Sequence, residues 1–314
     1  MISRSLLLIL LSFSLYAKIS EEFKLKHCAP LSGSGPILSY QNGHDSYSMQ
    51  KIAQSSYVLY NWNTESVKSE VLERIPHVSD FLIKDNLLWV LNGGSLSKFD
   101  LESLKLIKVY PIPGATSPRF RARGMDIYQN KIYIAQGILG VRGFYLDLEE
   151  FSELYPMYTK NKDGKFSEIT DLTFDRDLMY MSLSTATPSA FTGVVSFDMK
   201  TNKIDHLGAY NVPKIGVLGP SSKIYIHDSQ IVLNNEGWVH TISIDRFNRK
   251  KRMTPQWLAH SSEYNGETIY SLIRGDLVFD GNKVLGCDQK KVVDRKSRKR
   301  SINKVFVEIN LNEL

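Results

Sequence analysis

Four aspartates are the residues of this chain that could most readily do chemistry together. Each stands at the start of a short apolar run, and they are Asp80, Asp126, Asp171 and Asp276. Converging carboxylates could bind a hard cation such as Ca²⁺, or shift one another's pKa for acid–base work. The alternative is that each Asp accepts backbone N–H groups of its own loop. Three arginines that could pair with these carboxylates complete the candidate ligand site: Arg121, Arg123 and Arg274.

A run of positive charge near the C-terminus is the second chemical feature. Positions 290–300 hold seven basic residues and one acid, Asp294. The net charge of this segment equals the formal net charge of the whole chain, which is +6. The basic residues are Lys290, Lys291, Arg295, Lys296, Arg298, Lys299 and Arg300. We predict a loop over 288–301 that could hold a phosphate or carboxylate polymer, anionic lipid headgroups or nucleic acid; a solvated loop is the alternative. The run lacks aromatic residues, so base stacking has no support, and sequence-specific nucleic-acid binding is not expected.

The remaining chemistry in the sequence is sparse. Nucleophile elbows, zinc-protease helices, P-loops and haem-attachment motifs are absent from it. The two cysteines are Cys28 and Cys287. Because disulfides persist in oxidising compartments, we predict that an exported chain bridges them; two separate free thiols are the alternative. Because these catalytic motifs are absent from it, the sequence favours a binding protein over an enzyme.

A repeated phrase identifies the elements that position these residues. A short alternating run ending in Asp or Asn recurs six times, with spacings of 39, 47, 51, 47 and 65 residues. The runs end at Asn61, Asp100, Asp147, Asp198, Asp245 and Asn310. Short strands separated by Asn, Asp and Gly turns predict repeated units of four strands. We therefore predict an all-β fold, a six-bladed β-propeller, with a seven-bladed ring or a two-sheet sandwich as alternatives.

Closure of the ring follows from the ends of the chain. The last unit lacks a fourth strand, and residues Glu22–Lys26 form an alternating run without a unit of their own. We predict that this N-terminal strand completes the last blade as its outer strand and removes an open edge. In this arrangement the four aspartates surround the mouth of the central channel, on the face where each inner strand begins. The basic loop lies on the same face.

The first 17 residues have the order of a secretory signal peptide. Arg4 supplies positive charge, Leu6–Leu15 is apolar, and Ala17 is a small residue at the cleavage position. Ten apolar residues are too few to span a bilayer, although an uncleaved anchor is the alternative. We predict a signal peptide over 1–17 and a single domain over 18–314, exported to the periplasm or secreted, with no transmembrane segment.

Two stretches resemble a known class of propeller repeat. Residues Asn130–Ala135 leading to Phe144–Asp147, and residues Leu87–Asp100, are similar to LVIVD-type and YVTN-type repeats. The resemblance implies a propeller and no activity. Two functions remain open: a cell-envelope binding or scaffold protein for a protein or an anionic polymer, without a cofactor; or a Ca²⁺-dependent hydrolase similar to six-bladed lactonases. The latter enzymes mix Glu, Asn and Asp ligands, whereas no Glu starts an inner strand here, so binding is preferred.

Overall fold

The structure is a computed structural model, and it describes residues 37–310 apart from internal stretches. The internal stretches outside the description are 43–44, 54–55, 62–69, 74–76, 117–120, 156–166, 185–192, 211–222, 236–237, 250–251, 254–255, 259–260, 265–266, 271–275 and 294–299. The signal peptide at 1–17, the strand at Glu22–Lys26 and a bridge through Cys28 lie outside the described residues and stay predictions. In the part that is described, no helix is long and apolar enough to cross a membrane.

Within the described residues, five sheets with four antiparallel strands each follow one another along the chain, and each is one propeller blade; the fourth sheet has an additional, parallel strand. The first blade is β1 (Ile37–Asn42), β2 (Asp45–Ala53), β3 (Ser56–Asn61) and β4 (Glu70–Glu73). The second is β5 (Asp80–Lys84), β6 (Leu87–Leu91), β7 (Ser95–Asp100) and β8 (Leu106–Pro111). The third is β9 (Gly124–Tyr128), β10 (Lys131–Ala135), β11 (Val141–Tyr145) and β12 (Glu150–Tyr155). The fourth is β13 (Glu168–Asp175), β14 (Leu178–Ser184), β15 (Gly193–Asp198) and β16 (Lys203–Tyr210). The fifth is β17 (Lys223–His227), β18 (Gln230–Asn235), β19 (Trp238–Ser243) and β21 (Gln256–Leu258).

The remaining elements lie in the chain within the fifth blade, between β19 and β21, or after it. They are helix α1 (Ile244–Arg249), strand β20 (Arg252–Met253), the hairpin of β22 (Ser261–Tyr264) and β23 (Glu267–Tyr270), and the closing sheet of β24 (Val278–Asp280), β25 (Lys283–Val293) and β26 (Arg300–Asn310). Strand β20 joins the outer strand of the fourth blade in parallel.

The prediction of six blades is wrong, and so is the alternative of seven, because the structure has five. The last repeat spacing is long because it contains the separate hairpin β22–β23 and the long strands β25 and β26. In the described part of the chain, the closing sheet has three strands and no fourth. It nevertheless occupies the gap between the fifth blade and the first. Ser39 of the first blade donates to Asp276, and Gln41 exchanges two hydrogen bonds with the backbone of Phe279.

Local sequence explains the blades well. Two of the turns between a first and a second strand are Asp85-Asn86 and Gln129-Asn130, and all four residues have positive φ. Such two-residue turns match the twist of antiparallel strands, and Asn and Asp tolerate positive φ. Apolar clusters then pack between consecutive blades; one holds Leu82 and Trp89 of the second blade with Phe144 of the third. The hydrophobic core is therefore divided among the blade interfaces.

The described residues of the basic segment lie in two paired strands, β25 and β26, which corrects the prediction of a loop over 288–301 at these positions. Lys290 and Lys291 lie in β25, opposite Asn303 and Ile302, and Arg300 begins β26 opposite Val293. Arg295, Lys296, Arg298 and Lys299 lie outside the described residues. Strand β25 pairs with β24 only as far as Leu285. Its eight further residues, 286–293, extend about 26 Å at ~3.3 Å per residue, past the level of Asp276 and toward the face where the inner strands begin.

Candidate functional site

The candidate site is built from two layers of residues on the inner strands. The inner strands are β1, β5, β9, β13, β17 and β24, and each pairs with the strand that follows it in the chain. Counting back four residues from the last strand residue gives the upper layer: Leu38, Asp80, Gly124, Asp171, Lys223 and Asp276. Counting back two gives the lower layer: Tyr40, Leu82, Asp126, Thr173, Tyr225 and Val278. Strand alternation places both layers on the same side of each strand.

The three upper-layer aspartates each bind the next inner strand. The Oδ2 atom of Asp80 accepts the N–H of Met125 at 3.0 Å. Asp171 accepts the N–H of Ile224 at 2.9 Å, and Asp276 that of Ser39 at 2.9 Å. These bonds satisfy backbone donors that face the axis and have no strand partner there. Each carboxylate therefore holds two neighbouring sheets together.

Lower-layer residues make the hydrogen bonds across the other three boundaries between neighbouring inner strands. Tyr40 donates from its hydroxyl to the carbonyl of Ile83 at 2.9 Å. Asp126 accepts from the hydroxyl of Thr173 at 3.0 Å and the N–H of Phe174 at 3.3 Å. The hydroxyl of Tyr225 accepts the N–H of Leu277 and donates to Asp276, both at 3.1 Å. Around the ring, the bond from one inner strand to the next thus alternates between the two layers.

Lys223 is the centre of the upper layer. Its Nζ lies 2.8 Å from Oδ2 of Asp80, across the axis, and 3.9 Å from Oδ1 of Asp171. The backbone of the third blade makes room for this arrangement at Gly124. A Cβ there would lie 1.8 Å from Oδ1 of Asp171 and 3.0 Å from its Cα. A side chain at position 124 is therefore incompatible with Asp171 where it stands.

Burial perturbs the titration of these groups. It raises the pKa of Asp171 to about 8, although the positive charge of Lys223 opposes the rise. Burial likewise raises the pKa of Asp276, and that of Asp126 to about 6. For Lys223, burial alone would lower the pKa, but the carboxylates of Asp171, Asp80 and Asp276 outweigh it and raise the pKa. The ammonium thus stays charged and offsets part of the negative charge.

A cavity of about 390 Å³ runs along the axis beside both layers. Four upper-layer residues lie at one end of its lining: the buried Asp80, Asp171 and Asp276, and the largely buried Lys223. At the other end, where the inner strands finish, the lining residues are more exposed: Gln41, His227 and Phe279. The ring of His227 stacks on Phe279 with centroids 4.5 Å apart, and its Nε2 lies 2.5 Å from the carbonyl of Gly281. The volume is in the range of small-ligand pockets.

The predicted site residues divide into those that line this cavity and those that do not. All four aspartates line it; Asp80 begins β5, whereas Asp126 and Asp171 lie within their strands and Asp276 precedes β24. Arg123 pairs with Glu168 at 2.8 Å, and Arg121 is exposed. Arg274 lies outside the described residues. Neither described arginine lines the cavity.

Sequence reasoning missed Lys223, Tyr225, Gln41 and His227. Alignment of the inner strands at their turns would have revealed Lys223, which holds in β17 the position that Asp80 holds in β5. Tyr225 would have followed as the counterpart of Asp126 and Tyr40. The signal in the sequence is the number of residues between each of these positions and the end of its inner strand.

A cation fits these residues poorly. Ca²⁺ requires six to eight oxygen ligands, whereas the Lys223 ammonium already stands beside Asp80 and Asp171. Across the described residues, no group of three or more His, Cys, Asp and Glu residues could hold a metal ion. The arrangement can instead present hydrogen-bond donors and acceptors of both charge signs to a molecule in the cavity.

Comparisons with known proteins identify the fold. No protein-family model and no curated protein matches the chain. Among solved structures, the WD40 repeats of RRP9 match with a TM-score of 0.53 and 12% identity, over 89% of this chain and 85% of that one. The extracellular domain of BT4673 from B. thetaiotaomicron, described as a one-component system, matches with a TM-score of 0.55 and 11% identity, over 84% of this chain. This chain spans only 34% of that domain. The similarity establishes a β-propeller and does not identify the class of repeat.

Proposed function

We propose that the protein is an exported binding protein of the cell envelope, which takes a small ligand into the axial cavity and presents the basic hairpin to an anionic polymer. The observation that carries the proposal is the fixed geometry of the cavity. Asp80, Asp171 and Asp276 are each held by a backbone N–H of the next inner strand. Side chains held in this way form a preformed site, which supports binding because little ordering entropy is lost when a ligand enters.

The calcium-dependent hydrolase is the less supported function. Its calcium site would need the carboxylates that are bound to Lys223 and to backbone N–H groups. Calorimetric titration with CaCl₂ tests this alternative directly. We expect no heat of binding and no change of melting temperature with chelator. Saturable binding that is lost in Asp171→Asn would support the hydrolase and contradict our choice.

A variant at the mouth tests the cavity as the ligand site. His227 lies on the rim, so His227→Trp places a larger ring over Phe279 and narrows the entrance. The matched control is His77→Trp, at an exposed position that does not line the cavity. We expect compounds from a panel of sugars, amino acids and organic acids to raise the melting temperature of the native protein and of the control, but not of His227→Trp. Equal shifts in all three proteins would refute the cavity site.

The hairpin is proposed as the contact with an anionic polymer because positions 290–300 carry charge equal to the net charge of the chain. The double variant Lys290→Ser/Lys291→Ser removes two charges from β25. Its control, Lys105→Ser/Lys203→Ser, removes two charges from exposed positions on other blades. We expect earlier elution of the β25 variant from a polyphosphate column, by a larger salt difference than the control shows. Equal elution of the two variants would remove the hairpin from the proposal.

Export is tested by fractionating cells that express the full chain. We expect the protein outside the cytoplasm, with Lys18 as its first residue, because Ala17 ends the predicted signal peptide. Recovery of the chain from the cytoplasm with residues 1–17 attached would contradict the export part of the proposal. Such a result would leave the cavity experiments unaffected.

A further inference from the structure

Lys223 has hydrogen-bond donors to spare. An ammonium group carries three N–H donors. One of them reaches Asp80 at 2.8 Å, whereas Oδ1 of Asp171, at 3.9 Å, is beyond hydrogen-bond distance. The Lys223 side chain is only 14% exposed, and a buried charge that lacks partners is costly. The donors that remain lie in the lining of the axial cavity.

Asp171 offers an acceptor beside these donors. Its Oδ2 accepts the N–H of Ile224, but within the described residues no hydrogen-bond donor reaches its Oδ1. Its side chain is 7% exposed and lines the same cavity. Residue 124 is glycine, so this oxygen packs directly against the backbone of the third blade, at the place where a Cβ would stand 1.8 Å from it. The upper layer therefore contains a donor and an acceptor 3.9 Å apart that do not satisfy each other.

We infer that the ligand of this cavity is a small neutral compound with several hydroxyl groups, such as a monosaccharide or a cyclic polyol, an inference that rests on the proposed function. A hydroxyl both donates and accepts, so one hydroxyl can accept from Lys223 and donate to Asp171. A cationic ligand would meet the Lys223 ammonium. An anionic ligand would meet the carboxylate of Asp80 and the carboxyl oxygens of Asp171 and Asp276, and charges of the same sign repel strongly at low dielectric.

The rest of the cavity suits the same class of ligand. With its pKa raised to about 8, Asp171 is mostly protonated near neutral pH, and a ligand hydroxyl can hydrogen-bond with the protonated or the ionised form. Below the upper layer, Asp126 and Thr173 add oxygens to the lining. Tyr225 and Phe279 add aromatic rings, with centroids 5.5 Å apart, against which the C–H face of a ring compound can pack.

The test compares ligands that share a ring and differ in charge. Calorimetry on the full mature chain uses glucose, galactose and myo-inositol as neutral probes, glucosamine as the cation and glucuronate as the anion. We expect at least one neutral probe to bind ten times more tightly than both charged probes. Tighter binding of a charged probe would overturn the inference and leave the cavity as a binding site. Failure of all five, while amino acids or organic acids bind, would do the same. Failure of every compound would overturn the proposed function as well.

Variants of the donor and the acceptor connect the binding to these atoms. Lys223→Met removes the donors, and Lys84→Met makes the same change at a partly exposed position on β5 that does not line the cavity. We expect about tenfold weaker sugar binding in Lys223→Met, the usual effect of one hydrogen bond to a charged group, and no change in Lys84→Met. Because Lys223→Met leaves carboxylates without their cation, Asp171→Asn serves as the second variant; it keeps the shape, and we expect severalfold weaker binding. Unchanged affinity in a folded variant of either kind would overturn the inference.

Discussion

Substitution of Gly124 by alanine tests the packing at the centre of the ring. The added Cβ would lie 1.8 Å from Oδ1 of Asp171, 2.8 Å from its Cγ and 3.0 Å from its Cα. Rotation of the Asp171 side chain can relieve the first two contacts but not the third, which involves the backbone. Either the third and fourth blades move apart, or Asp171 rotates, gives up its hydrogen bond to Ile224 and leaves the contact with its Cα strained.

The magnitude follows from opposing contributions. A glycine-to-alanine change without strain stabilises a protein by about 0.4–1 kcal/mol, because it restricts the unfolded chain. Overpacking costs about 1–3 kcal/mol, and loss of a hydrogen bond to a charged group costs about 1.5–3 kcal/mol. We expect Gly124→Ala to lower the free energy of unfolding by about 2 kcal/mol. Gly124→Ala is thus expected to destabilise the protein, whereas the same change at an unhindered glycine stabilises it.

Urea unfolding monitored by circular dichroism measures this difference, provided that the free energy of unfolding of each variant falls with urea concentration at the same slope. The matched control is Gly94→Ala, since a Cβ at Gly94 meets nothing within 4 Å; we expect it to be neutral or slightly stabilising. In an Asp171→Ala background, Gly124→Ala should cost at least about 1 kcal/mol less, because its main contacts are absent. Equal effects of Gly124→Ala and Gly94→Ala would refute the packing argument.

Two further predictions concern ionisation. Burial raises the pKa of Asp126 to about 6, so this carboxyl lowers the free energy of unfolding as pH rises from about 4 to 6. Urea unfolding of Asp126→Asn should lack this loss, which is on the order of 3 kcal/mol, and parallel pH curves of the two proteins would contradict the prediction. The ammonium groups of Lys108 and Lys98 lower the pKa of Glu149 to about 2, so stability present above pH 4.5 is lost as pH falls toward 2. Glu149→Gln should lower the free energy of unfolding by about 1 kcal/mol at neutral pH and low salt, and by less in 1 M NaCl. A decrease that is the same at low and high salt would contradict the ion-pair argument.

The strands were the most predictable part of the fold. Asn61, Asp100 and Asp198, which end three of the repeated phrases, end β3, β7 and β15, the third strands of their blades. This succeeded because alternation and turn residues act over a few neighbouring positions. The number of blades was wrong, because closure of the ring depends on which sheet lies between the fifth blade and the first. Ser39 and Asp276, which meet there, are 237 positions apart.

The site was predictable only in part, for the same reason. An Asp at the start of an apolar run is a local signal, and it located four residues of the cavity lining. A Lys at the start of an apolar run is not distinctive until the inner strands are aligned at their turns, so Lys223 was missed although it lies at the centre of the charges. Its partner Asp80 is 143 positions away and three blades earlier. Arg123, placed near the carboxylates by sequence, pairs instead with Glu168 of the next blade.

The sequence by itself determined that this chain forms short antiparallel strands in repeated units with aspartates on the inner strands, because these features depend on side-chain alternation and turn chemistry. Only the tertiary structure decided that the ring has five blades and a three-stranded closing sheet. It alone decided that the inner strands are linked through alternating layers, and that Lys223 stands among three carboxylates beside a cavity. These features depend on distances across the axis, where residues from different blades meet, and no local pattern encodes such distances.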